Sequence, residues 1–143
     1  MSLSAIISAL VAIDATVTGV KNSYDIDSMP TSLTQAKLPA LIHLPEGGAG
    51  NVMTFQDGVW ELNHRIRVQI IYTAVGQSTM STNLSGLVTL LDAYIAKLQD
   101  YGDISGTCDA AHIISYTPIG TVPYGNVDYL GMEVIVQATE YQV

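Results

Sequence analysis

Three histidines, one cysteine and a closely spaced pair of aspartates are the residues here whose types suit catalysis or metal binding. His43, His64 and His112 are the candidates for general base or metal ligand, the roles that imidazole fills elsewhere. None has a nucleophile at motif spacing, and the chain holds no Gly-x-Ser-x-Gly, His-Glu-x-x-His or Gly-x-x-x-x-Gly-Lys. Cys108, Asp109 and His112 match no zinc spacing, and a single cysteine has no internal disulfide partner, so Cys108 reads as a small buried or turn residue. Asp25-Ile26-Asp27 offers hard oxygens to a divalent cation, but two carboxylates in a turn are usually solvated. Gly47-Gly48-Ala49-Gly50 lacks the basic residue and the following helix of a phosphate loop. The expectation is a protein with no catalytic residue, cofactor or metal of its own; an enzyme would need a site assembled between subunits.

The element that positions His64 is the clearest in the chain. Trp60, Leu62, Ile66, Val68, Ile70 and Tyr72 share one parity, while Glu61, Asn63, Arg65, Arg67 and Gln69 take the other, as in a half-buried strand. At ~3.3 Å per residue it spans roughly 40 Å, far beyond the usual strand of about five or six residues. His64 falls on its inner face, where a hydrogen-bonded core imidazole is more common than a general base. Arg65 and Arg67 fall on the outer face. There they either form a solvated face that discourages edge pairing or meet carboxylates of a neighbouring copy, for which the planar guanidinium is suited. Ile71 and Ile135 are apolar exceptions on the outer parity, and read equally as an ordinary exposed pair or as part of a patch that meets a neighbour.

Apolar residues recurring at three- and four-residue steps from Leu3 to Val20 predict an amphipathic first helix, with Ser2 or Ser4 as cap. A polar connection through residue 35 favours turns. Residues 38–44 read as a short strand bounded by Pro39 and Pro45, followed by a long flexible connection from Glu46 to Gly58. A second helix is predicted over 81–98, ~27 Å long at 1.5 Å per residue and so shorter than the strand it covers. Strands are predicted over 111–119 and 129–141, joined by a turn-rich connector from Thr121 to Asp128. The predicted class is α+β: one domain over 1–143, two helices on one face of a mostly antiparallel four-stranded sheet, in the order α-β-β-α-β-β.

Composition narrows the classes. With 143 residues the chain suits a single domain, and 48% apolar against 13% charged residues excludes disorder. Five basic residues against thirteen acids give a net charge of −8, which argues against wrapping nucleic acid but suits a passage through which DNA slides without adhering. The N-terminal stretch has no basic n-region and is broken by Asp14, Thr16 and Thr18, so neither secretion nor membrane insertion is expected.

The order of parts resembles the tail terminator, or tail completion, proteins of long-tailed bacteriophages. The first helix, Leu38-Pro39-Ala40-Leu41-Ile42 after a proline-bearing linker, the long strand from Trp60, the second helix and the closing Tyr129-Leu130-Gly131-Met132-Glu133-Val134 carry the resemblance. It implies a non-enzymatic virion protein, assembled in the host cytoplasm as a homo-oligomeric ring of six on the head-proximal end of the tail tube. Its implied partners are the tail-tube protein and a head-completion or neck protein, with DNA only in passage. Candidate subunit contacts are Arg65, Arg67, Ile71 and Ile135. Candidate docking-loop residues are Glu46, Gly47, Gly48, Asn51 and Asp57 in the glycine-rich connection, and Tyr124 and Asn126 in the later connector. Two other readings stand beside this one: a neck, connector or tube subunit, or a small-molecule-binding domain or interface-site enzyme built around Tyr116, Tyr124, Tyr129 and His112.

Overall fold

The computed structural model describes residues 2–54, 58–75 and 80–142. Helix α1 runs Leu3–Asp14, and the Ser2 side chain accepts the Ala5 N–H as its cap. It stops a turn and a half short of the apolar pattern that runs on to Val20. The Thr16 hydroxyl donates to the Ile13 carbonyl at 2.6 Å, competing with the helical ladder, and Gly19 turns the chain with φ +95°. Strand β1, Asn22–Tyr24, follows, then two 3-10 turns at Ile26–Ser28 and Gln35–Lys37. Strands β2, Ala40–Thr54, and β3, Val59–Ala74, precede helix α2, Met80–Gln99. Strands β4, Ala110–Tyr116, β5, Gly120–Tyr124, and β6, Val127–Gln142, complete the chain.

The sheet overturns the four-stranded expectation. It is mixed and six-stranded, ordered β1-β2-β3-β6-β4 with β5 also on β6, and β1 runs parallel to β2 while the other pairings are antiparallel. Both extra strands escape a periodicity reading for physical reasons. β1 has only three residues, too few to display a period, and β5 contains Pro123 and leads into Gly125, so its composition is that of a connector. Gly125 and Asn126, at φ +58° and +66°, form the two-residue turn that folds β5 onto β6.

The glycine-rich stretch after Pro45 is the second correction: residues 46–54 belong to β2 and pair with β3 from Arg65 down to Val59. Weak intrinsic strand preference is overridden because β3 supplies a continuous partner, and the register absorbs irregularities at Pro45/Gly47 and Val52/Thr54.

The sheet buries both faces. On one, Ile6, Leu10 and Ile13 of α1 and Leu87, Leu90 and Tyr94 of α2 pack on Leu41, Ile66, Val68, Ile70, Met132, Val134 and Val136. Gly86 of α2 permits the close approach, since a Cβ there would lie 1.9 Å from the Tyr72 hydroxyl. On the other face, Leu33 and Leu38 close over Ala40, Ile42, Ile71, Val122 and Tyr129. The segment holding Leu33 is strapped down by Tyr129 Oη donating to the Leu33 carbonyl at 2.7 Å, and by Gln35, which donates to Thr73 Oγ1 at 2.9 Å. Ile71 is therefore fully buried under the chain's own strap, which explains an apolar residue on the outer parity.

Candidate functional surfaces

Two histidine–carboxylate pairs lie on the helix-facing side of the sheet. In the first, His43 Nε2 stands 2.6 Å from Asp14 Oδ2, and both side chains are fully buried. Tyr94 Oη donates to the same Asp14 oxygen at 3.0 Å, and His43 Nδ1 lies 2.9 Å from the Tyr24 carbonyl. That carbonyl only accepts, so Nδ1 carries hydrogen, and the short contact to Asp14 holds a further proton between the two side chains. Burial raises the Asp14 pKa despite the His43 and Tyr94 hydrogen bonds, and burial with the adjacent Asp14 charge holds the Tyr94 hydroxyl well above its ordinary value. Asp14 Oδ1 has no hydrogen-bond partner. This triad ties α1, β1, β2 and α2 together. With both members sealed from solvent, it has the composition of a catalytic dyad without access to a substrate.

In the second pair, His64 Nε2 contacts Glu140 Oε1 at 2.9 Å where the sheet runs past the helices. Glu140 is 1% exposed and His64 18%. Burial pushes the Glu140 carboxyl up, but hydrogen bonds from His64 and Gln142 together with the His64 charge outweigh it and leave the pKa below its ordinary value. Beside His64 a shallow groove of about 300 Å³ is lined by Gly48, Ala49, Gly50, Leu62 and Asn63.

The other chemical candidates are accounted for locally. Cys108 is buried, and desolvation with Asp103 nearby pushes its thiol up to about 11, so it is unreactive near neutrality. The Asp25 side chain caps the first 3-10 turn and accepts from Ser8 Oγ at 2.9 Å. Among the described residues no three His, Cys, Asp or Glu converge in a way that would hold a metal. No described helix is long and apolar enough to cross a membrane. His112 lies on β4 beside a groove of about 240 Å³ between α2 and β4, lined also by Ile95, Leu98, Gly102 and Ile113.

The predicted contact residues separate. Arg65 is exposed, whereas Arg67 is bound within the chain by Glu46 at 2.6 Å and Glu133 at 3.5 Å. Ile135 is half-buried and Ile71 buried. Of the docking candidates, Glu46, Gly47, Gly48 and Asn51 stand in β2 opposite β3, and Asp57 lies outside the described residues. Tyr124 donates to the Pro30 carbonyl, and Asn126 is exposed in the β5–β6 turn. The aromatic group does not form one pocket: Tyr129 and Tyr124 hold the strap, while Tyr116 is exposed on β4.

What the residue reading missed is the Asp14 triad. The available signal was an acid and a tyrosine set inside otherwise apolar helical stripes, with a histidine on the inner parity of a strand. The second feature it missed is an exposed apolar group near the far end of β2 and β3, where Val52, Met53 and Trp60 are 47%, 53% and 53% exposed. Fold and surfaces together define a small protein with two helices on one face of a mixed six-stranded sheet, whose far end is the three-stranded β2–β3–β6 arm. No protein-family model matches the chain, and no curated protein matches it.

Proposed function

We propose that this chain is a structural virion subunit that joins copies of itself into a ring and caps the head-proximal end of a phage tail tube. The observation that carries the reading is the arm. β2, β3 and β6 continue together beyond the strand residues that the helices cover, and an exposed tryptophan, methionine and valine near the far end of β2 and β3 form an apolar anchor of the composition enriched at protein interfaces. The sealing of the Asp14–His43 pair and the burial of Cys108 add support, since these side chains serve the fold. A net charge of −8 suits a ring whose lumen passes DNA. The ring docks on the tube through its exposed turns and arm and offers its other side to a neck protein.

Negative-stain electron microscopy with mass photometry tests this. Isolated rings, or monomers that form rings when tail tubes are added, are the expected result. Long cylinders would instead identify a tube subunit, and a metabolite retained in native mass spectrometry beside His64 would turn the reading toward a binding protein.

A further inference from the structure

We propose that the open edge of β2 receives strand β4 of a second copy, so that copies join sheet to sheet, head to tail. The proposal rests on the self-assembly reading above and names its contact. β1 covers β2 only from Ala40 to Ile42, and among the described residues no strand pairs with the backbone of residues 46–53 on that side. At the other border of the sheet, the Gly102 carbonyl takes the Ala111 N–H at 2.6 Å, and no described backbone group partners the outward side of residues 112–116.

Apart from register irregularities at Ile113/Ser115 in β4 and at the two ends of the β2 stretch, neither edge carries a protecting device among the described residues. Soluble proteins blunt free edges with charge, proline or a cover, because bare N–H and C=O groups recruit another strand. Residues 47–53 and 110–116 contain no Asp, Glu, Lys, Arg or Pro. Each edge instead carries exposed apolar side chains, Val52 and Met53 on β2, and Ile114 (38%) and Tyr116 (58%) on β4.

Three features select β4 as the occupant. The edges lie at opposite borders of one sheet, so pairing them uses both and propagates heterologously, whereas β2 on β2 would leave two β4 edges open. Residues 47–50 are Gly-Gly-Ala-Gly, so no bulky side chain obstructs an incoming backbone. Charge is complementary: Asp100, Asp103 and Asp109 are exposed ahead of β4, while Arg65 on the arm is exposed and makes no ion pair among the described residues. Gly47, the cross-strand partner of Arg65, puts no side chain between that guanidinium and an added strand.

The test uses the full chain carrying Cys108→Ser, with Asn51→Cys in one preparation and Ser115→Cys in another, both positions being exposed. A short bis-maleimide should bridge the mixture and neither preparation alone, and adding Ile114→Lys to the Ser115→Cys partner should lower bridging at least tenfold with an unchanged thermal melt. Oligomers that form without mixed bridging, or bridging within one preparation, would overturn the strand pairing and leave the ring reading standing. Monomers at every concentration, with or without tail tubes, would remove the ring reading and the pairing with it.

Discussion

The two histidine–carboxylate pairs occupy the same face of the same sheet and answer to opposite physics. Asp14–His43 lies under both helices, where the cost of desolvating a carboxylate exceeds the help of its partners, so its acid is held above the ordinary value. His64–Glu140 lies on the arm side, where hydrogen bonds outweigh burial and the acid is held below it. The helices thus cover one end of a single sheet and leave the other end, with exposed Val52, Met53 and Trp60, less covered.

The largest effect that separates the two regions is expected from His43→Ala. It strips a fully buried carboxylate of its principal partner and should cost about 3–5 kcal/mol in urea unfolding, with a matching fall in Tm. Tyr94→Phe removes one donor from the same oxygen and should cost about 1–3 kcal/mol; a cost near zero would mean that the triad is not held together as described.

Acid titration sharpens the contrast through its sign. The folded Glu140 pKa lies below 4.5, so the stability it contributes is present above 4.5 and is lost as pH falls through the lowered folded value. The folded Asp14 pKa lies above 3.8, so its contribution is present below 3.8 and is lost as pH rises through the raised value. His64→Ala should therefore flatten the Glu140 limb of an acid-unfolding curve, and Asp14→Asn the opposing one.

Smaller effects are expected on the exposed arm. Arg67→Ala breaks half-exposed ion pairs to Glu46 and Glu133 and should cost about 0.2–1 kcal/mol, diminishing with added salt. Trp60→Ala should change monomer stability by less than about 0.5 kcal/mol. It should nevertheless weaken self-association in sedimentation, and a variant that assembles normally would detach the arm tip from any role in assembly.

Long, strongly periodic segments were legible in the sequence. The alternation around Ile66, Val68 and Ile70 located β3, and the stripe through Leu87, Tyr94 and Leu98 located α2 within one residue at each end. Short or mis-composed elements were not. β1 is too brief to show a period, and β5 and the distal half of β2 are made of residues that prefer turns and become strands only beside an existing edge. The same limit applied to the surfaces. The outer parity of Ile71 was visible, but its cover comes from Leu33 and Leu38, more than thirty residues earlier in the chain.

By itself, then, the sequence determined which faces are apolar, where two helices and the longest strands run, and that recognised catalytic motifs are missing, because these follow from spacing along one segment. Tertiary structure alone decided that Asp14, His43 and Tyr94 meet, that the strap seals a second core, and that among the described residues the outer sides of β4 and of the far half of β2 have no partner strand. Each depends on which distant segments supply a neighbour, and a one-dimensional pattern carries no record of that choice.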